Sequence, residues 1–337
     1  MPKTMKAALI THYKQMAPTI ESVPIPLLKP NDVLIKVKAA SINPVDLKIM
    51  AGGMRMLLKY QMPLIIGNDF AGEIVAVGTQ ITQFKLGDAV YGRPRKQRIG
   101  TFSEYFATDV ADIALKPVNL SYEEAAAIPL VGLTSYQALH DLMDLQPGKK
   151  VLIQAGAGGI GTLAIQLAKE LGAEVTTTTS QKNIDFVKSL GADRVIDYHH
   201  EDFADILTNY DAVFDTLGGK QLERAFRIVK PGGQVVSITG LPNERFAKEF
   251  SLPRWKQWLF RLATQRLHRL EKQTQVHYRF LYMWPSHQEL MVLTRLIESN
   301  RLRPVVDRVF PFAELAQALQ YSQKGHAQGK IVVRIGE

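Results

Sequence analysis

Two hydrophobic periods divide the chain. From Asp32 to Ala40, Val33, Ile35 and Val37 alternate with Leu34, Lys36 and Lys38, the period-two pattern of a half-buried strand. Ala7–Thr11, Glu73–Val77, Ala89–Gly92 and a segment from Gly100 read as further short strands, broken by Gly78 and by the reversal Phe84–Asp88. Short strands at irregular spacing, rich in Gly and Pro, predict a partly open β-barrel over the first ~125 residues. The pattern changes at Ser121. This serine has the features of a helix N-cap, with Glu124 three residues on to complete a capping box, and Ala125–Leu145 is expected to be helical.

Beyond Lys150, apolar runs alternate with segments of helical period. Val151–Gln154 is a buried-strand run, and more strands are expected near Glu174–Thr179, Arg194–Asp197, Asp211–Asp215, Gln234–Thr239 and Tyr278–Trp284. Pro231, Gly232 and Gly233 are expected to turn the chain into the fifth of these. Six strands with helical crossovers predict a Rossmann-type parallel sheet, so the fold class is α/β. The last ~50 residues break the alternation. A helix near Ser286–Ser299, a strand at Val305–Val309, a helix from Phe312 and a strand at Lys330–Ile335 are expected to return to the first domain. The expected division is therefore 1–128 with 285–337, and 129–284.

The candidate chemistry sits at the first strand of the alternating part. Gly156, Gly158 and Gly161 form G-x-G-x-x-G between that strand and a ten-residue helical pattern. In this context the first glycine permits a tight turn, the second lets the backbone approach a pyrophosphate, and the third lets helix and sheet pack closely. The phosphates then meet the helix N-terminus. The next strand, ending at Thr179, should be followed by an acid that grips the adenosine ribose in an NAD site. Ser180, Gln181, Lys182 and Asn183 follow instead. A hydroxyl, a cation and an amide suit a 2′-phosphate, so NADPH is the expected cofactor.

Composition narrows the function classes. The 337 residues are 46% hydrophobic and 22% charged, as in a globular protein of two domains. The absence of cysteine excludes disulfides, thiolate zinc sites and thiol nucleophiles. The eight histidines form no ligand pair of zinc-protease type. No apolar run approaches the ~18 residues of a membrane span, and the N-terminus leads straight into a strand, so a cytoplasmic protein is expected. The net charge of +9 is uneven: residues 250–273 carry six Lys or Arg against one acid, Glu271.

These motifs together resemble the medium-chain dehydrogenase/reductase superfamily, in its zinc-free quinone oxidoreductase branch. The resemblance rests on Ser41–Asp46, Gly67–Gly72, Gly132–Ser135, Ala155–Gly161, Leu190–Tyr198, Asp215–Gly219 and Gly329–Val333, and runs the length of the chain. It implies a GroES-like barrel domain beside the Rossmann domain, and a homodimer. In zinc-dependent relatives a cysteine stands at position 43 and a His-Glu pair at 68 and 69; here these are Asn43, Asn68 and Asp69. A metal-free reductase is therefore implied. Without a Lewis acid its acceptor must already be electrophilic, a quinone or an α,β-unsaturated carbonyl.

The resemblance also implies roles. Thr134 and the turn Gly156, Gly158, Gly159, Ile160 and Gly161 would lie along the pyrophosphate and nicotinamide ribose. Ser180, Lys182 and Tyr198 would surround the 2′-phosphate. Leu217, Gly240 and Phe280 would line the nicotinamide pocket, Lys330 would touch the cofactor, and Asn43 would face both nicotinamide and substrate. Lys48 is a candidate donor to the ribose or the substrate carbonyl, and Tyr60 a candidate for proton delivery. The cleft between the two domains is the expected binding place.

One stretch stands apart from the family pattern. Trp255, Trp258, Leu259, Leu262, Ala263, Leu267 and Leu270 form a helical stripe, with Arg261, Arg266, Arg269 and Lys272 largely off it. It fits a core-packed helix with a solvated face, or else an amphipathic lid or membrane-surface contact spanning 254–272. A different class of function is a sensor that binds NADPH with little turnover, or a protein that holds RNA or a membrane through its basic face. No RNA-recognition motif is present, so no nucleic-acid partner is expected.

Overall fold

The computed structural model describes residues 2–55 and 57–336. The strands in chain order are β1 (Thr4–Ile10), β2 (Thr19–Pro24), β3 (Asp32–Ile42), β4 (Leu64–Ile65), β5 (Asp69–Val77), β6 (Ala89–Gly92), β7 (Tyr105–Asp109) and β8 (Ile113–Leu115). They continue as β9 (Lys150–Ile153), β10 (Glu174–Thr179), β11 (Arg194–Asp197), β12 (Tyr210–Asp215), β13 (Val229–Ser237), β14 (His277–Phe280), β15 (Val306–Pro311) and β16 (Lys330–Arg334). Two compact units result, residues 1–133 with 284–337, and residues 134–283.

The first unit is built around β3. Its first half pairs with β7 and its second half with β16, while β5 runs antiparallel along most of its length. Two register shifts against β5, at Leu34/Ile35 and Val37/Ala39, curl the sheet. The full order is β15-β16-β3-β5-β6-β8, with β7 added on β3 and a small β2-β1-β4 sheet beside it. Because β3 is central, it is more buried than its alternation predicts. Leu34 is buried along with Val33, Ile35 and Val37, and Lys36 is the one exposed residue of the strand. Ile10, Ile35, Ile66, Phe70, Phe102 and Ile113 are among the fully buried side chains of the core here.

The second unit is a six-stranded parallel sheet in the order β11-β10-β9-β12-β13-β14, the Rossmann arrangement. The fifth strand starts earlier than the glycine pair suggests. Val229 already pairs with Tyr210, and Pro231–Gly233 form an irregularity within the strand, before Gln234 pairs with Ala212. Val213, Phe226, Val235 and Tyr278 belong to its core. The region Ala125–Leu145 is helical but not one helix: it divides into Tyr122–Ala126, Pro129–Tyr136 and a wide π-helical turn at Gln137–Leu142. Ser121 caps the first of these as expected, accepting from the Glu124 N–H at 3.2 Å, while Glu124 accepts from the Ser121 N–H at 2.8 Å.

One buried ion pair ties the start of β3 to the loop before β7. Arg98 donates to both carboxylate oxygens of Asp32 at 2.7 Å, and Asp32 is 1% exposed. Burial raises the Asp32 pKa, but the Arg98 and Lys29 hydrogen bonds and charges outweigh it and hold the carboxyl below its usual value. Arg98→Met leaves that charge buried without its bidentate partner. The variant is expected to lose about 3 kcal/mol of unfolding free energy at neutral pH, measured by urea titration, and less as the pH falls through the Asp32 pKa.

Candidate active site

The glycine turn lies where β9 ends. Ala155 takes φ +53, and the turn closes with the Gly158 N–H donating to the Ala155 carbonyl at 3.0 Å. A Cβ on Gly156 would collide with Thr177 Oγ1, and one on Gly161 with the Ala155 carbonyl, so both glycines are fixed by the fold itself. Gly158 differs. A Cβ there would meet only the Ala155 oxygen, at 3.3 Å, so its bareness matters to what approaches from outside. Gly158 is also the N-cap of the helix Gly159–Glu170 and supplies no side-chain cap. The first-turn N–H groups of Gly159, Ile160 and Gly161 thus meet no side chain of the N-cap residue, the geometry in which a helix N-terminus can take an anion. Ser135, next to the buried Thr134, donates to the Ile160 carbonyl at 3.4 Å.

At the end of β10, Ser180 caps a short turn, Gln181–Asn183, on which Lys182 is exposed. The Tyr198 N–H donates to the Thr179 carbonyl at 3.2 Å and brings Tyr198, 59% exposed, to the same strand end. Ser180, Lys182 and Tyr198 therefore lie at the ends of the neighbouring strands β10 and β11. Asp197, the acid nearest in sequence to Tyr198, is occupied by the His199 N–H and the His200 ring. Leu217, Gly240 and Phe280 follow or end β12, β13 and β14, at the same edge of the sheet as the glycine turn. Two residues with no role assigned from the sequence hold this edge together. Asp215 accepts from Ser237 Oγ at 2.5 Å and from the Leu217 and Gly218 N–H groups at 3.2 and 2.8 Å. Ser237 Oγ in turn accepts from the Gly240 N–H at 2.8 Å. Both are fully buried. Gln154, at the end of β9, is also fully buried with neither end of its amide bonded within the protein.

The first unit holds a buried polar cluster. Asn43, Asp46, Asn68, Asp69, Arg93 and Lys330 are each no more than 5% exposed. Lys330 Nζ donates to Asn43 Oδ1 at 2.5 Å, to the Ile42 carbonyl at 3.0 Å and to Asp69 Oδ2 at 3.4 Å. Asp69 also accepts from Ser41 Oγ, Asn43 Nδ2 and the Leu130 N–H, at 2.7, 2.8 and 2.7 Å. Asp46 accepts from Asn68 Nδ2 at 2.7 Å and from the Asn43 N–H at 2.8 Å, and Arg93 donates to Asn68 Oδ1 at 3.3 Å. Two carboxylates and two cations balance. All three ammonium donors of Lys330 are used inside the cluster. Asn43 and Asp69 meet at the Lys330 ammonium, and Asn68 joins the same cluster through Asp46 and Arg93.

Lys48 and Tyr60 lie outside this network. Lys48 is exposed on the short helix Pro44–Met50. The Tyr60 hydroxyl donates to the Lys96 carbonyl at 2.7 Å. Burial, helped by the Arg93 charge, lowers the Lys96 amine to about 5. No local sequence signal marks Arg93 or Lys96, because their roles arise only from folding.

Burial is the main cause that raises Asp46, to about 6, against the Asn68 and Asn43 hydrogen bonds; the Asp69 charge adds to the rise and Lys330 opposes it. The folded chain therefore keeps a proton on Asp46 that the unfolded chain releases between pH ~4 and ~6, and this contribution to stability is lost as pH rises through that window. Asp46→Asn removes it. Its stability relative to the parent is expected to improve by on the order of 2 kcal/mol from pH 4 to pH 7 in urea titrations. A pH-independent difference would place the Asp46 pKa near its ordinary value.

Comparison with known proteins agrees with this architecture. The family profile "Alcohol dehydrogenase GroES-like domain" matches residues 29–118, and "Zinc-binding dehydrogenase" matches 190–333. The chain is 35% identical over 345 residues to 2-methylene-furan-3-one reductase of Solanum lycopersicum, covering 99% of this chain and 80% of that protein. It is 33% identical to the NADPH-dependent alkenal/one oxidoreductase, chloroplastic, of Arabidopsis thaliana, with the same coverage. The solved quinone oxidoreductase from Coxiella burnetii matches with a TM-score of 0.84 and 32% identity, over 99% of this chain and 100% of that one. With this fold, this glycine turn and these relatives, the chain belongs to the medium-chain dehydrogenase/reductase superfamily, in the branch of the quinone and alkenal/one reductases, and is an oxidoreductase.

Proposed function

We propose that the chain transfers hydride from NADPH to a quinone or an α,β-unsaturated carbonyl compound, without a metal ion. The observation that carries this reading is the donor set of the buried cluster. Two amides, two carboxylates already bonded to N–H donors, and the Lys330 ammonium make a poor cage for a dication, which that ammonium would repel. An acceptor that receives no Lewis-acid polarisation must be electrophilic by its own conjugation. The names of the tomato, Arabidopsis and Coxiella relatives support the same two substrate classes.

The residues of the second unit fit the cofactor. The uncapped helix N-terminus and the bare Gly158 suit a pyrophosphate, and Ser180, Lys182 and Tyr198 suit a 2′-phosphate. When bound, NADPH supplies the hydride. Thr134 and the turn from Gly156 to Gly161 hold its phosphates and ribose, and Leu217, Gly240 and Phe280 exclude water from the nicotinamide. Asn43 orients the ring and the acceptor through its less committed N–H, which lies 3.4 Å from the Ser41 carbonyl. Lys330 is a positioning residue that acts through Asn43 Oδ1. Lys48, which has no acidic partner among the described residues, donates to the negative charge that develops on the acceptor oxygen. Water or the Tyr60 hydroxyl, which hydrogen-bonds the Lys96 carbonyl at 2.7 Å, delivers the proton.

Turnover tests the reading directly. NADPH oxidation, followed by its absorbance with a benzoquinone, a naphthoquinone, an alkenal and a saturated aldehyde, is expected to be fast with a quinone or the alkenal and absent with the saturated aldehyde. NADPH binding without turnover of any acceptor would replace the reductase with a sensor. The cofactor assignment has its own test. Lys182→Ala is expected to raise KM for NADPH about tenfold while changing KM for NADH by less than about twofold. Equal changes would remove Lys182 from the 2′-phosphate site.

A further inference from the structure

The helix Arg254–Ala263 presents its apolar side outward. Trp255 is 58% exposed, Trp258 60%, Leu259 38% and Leu262 45%, and none of its ten residues is buried. These four positions have i, i+3, i+4, i+7 spacing and share one face. The inward side is formed by Gln257 and Phe260, the latter edge-on to Phe246 with ring centroids 6.4 Å apart. The stripe that the sequence carries from Trp255 to Leu270 is thus split at Thr264. Past that residue it turns inward: Leu267 is buried in the core of the second unit and Leu270 packs against it.

The rim of the exposed face is cationic. Arg254 and Arg261 flank it on one side and Lys256 on the other, and Arg266, Arg269 and Lys272 follow on the next helix, Gln265–Thr274. Glu271 is the one acid between residues 254 and 272. From other segments Glu223 pairs with Arg266 at 2.6 Å and Glu244 lies 3.9 Å from Arg261, while Arg254, Arg269 and Lys272 have no ion pair among the described residues. Two exposed indoles and two leucines on one face, bordered by Lys and Arg, combine the apolar area and the charge that an anionic lipid surface recognises. A soluble partner protein with a matching acidic apolar groove would need a defined counter-shape, whereas a bilayer needs only this face and this rim. Among the described residues no helix is long and apolar enough to cross a membrane, so the contact is peripheral. We propose that the Arg254–Ala263 helix docks the protein on the surface of an anionic phospholipid bilayer, with Trp255 and Trp258 inserted at the headgroup level.

The experiment is flotation of the full-length protein with vesicles of phosphatidylcholine alone, or of phosphatidylcholine with about one third phosphatidylglycerol, at low and high ionic strength. Tryptophan emission is recorded alongside, since two of the three tryptophans lie on this face. Flotation with the anionic vesicles, a blue shift of emission and loss of binding in high salt are expected. Trp255→Ser with Trp258→Ser should weaken the partition about tenfold or more, and Arg254→Glu with Arg261→Glu should weaken it and reduce its salt dependence. Both variants change exposed residues, and an unchanged Tm and NADPH turnover would show that the fold is intact. The proposal is overturned if the parent does not float with anionic vesicles at low salt, or if the tryptophan variant floats equally well. It is also overturned if the parent floats with neither vesicle while the tryptophan variant dissociates an oligomer, which would assign the face to a second copy. RNA binding lost in the arginine variant, without flotation of the parent, would overturn it in favour of a nucleic acid.

Discussion

A buried ammonium group sets the terms for the first unit. Lys330 on β16 reaches the Ile42 carbonyl and Asn43 at the end of β3, and Asp69 at the start of β5, so one side chain joins three adjacent strands. Removing a lone charge from water is costly, and the cost is offset only when each donor and acceptor finds a partner of good geometry. Around the Lys330 ammonium the partners are complete. Asp69 takes four donors, Asp46 takes two, and Arg93 closes the far side through Asn68. Burial lowers the Lys330 pKa and the two carboxylates oppose that fall, so the lysine keeps its charge only in their company.

The second unit depends on a simpler constraint, the lack of room at its first turn. Gly156 and Gly161 are bare because the fold fills their surroundings, whereas a Cβ on Gly158 would meet only the Ala155 carbonyl, at 3.3 Å. The Asp215–Ser237 pair does the corresponding work at the next two strand ends, where it fixes the N–H groups of Leu217, Gly218 and Gly240. Polar groups buried beside a ligand edge rigidify it, and preorganisation of that kind lowers the cost of holding a long, flexible dinucleotide.

Local features were legible in the sequence and distant ones were not. The glycine turn, the strand ending at Thr179 and the Ser121 cap each follow from residues within a few positions of one another. So do the six parallel strands, although Val229 joins the fifth before the glycine pair is passed, because Tyr210 offers it a partner there. The cluster around Lys330 was not legible. Lys330 and Asn43 are 287 residues apart in sequence, and neither carries a local sign that one holds the other. Leu34 likewise reads as an outward residue of an alternating strand, and is buried because β3 has sheet partners along both edges. The stripe from Trp255 to Leu270 has one helical period throughout. Only the packing of Phe260 and Leu267 reveals that its two halves face opposite environments.

The long sequence separation within the Lys330 cluster also orders events during synthesis. Asp46 and Asp69 leave the ribosome early, and the lysine that balances them follows after residues 134–283 have been made. The parallel sheet, contained in one uninterrupted stretch, has every strand it needs before β15 and β16 exist. In the nascent chain the sheet around β3 therefore has Arg93 but lacks the Lys330 charge until the last strand arrives. The inserted unit can be complete while the unit that encloses it in sequence is still waiting to close.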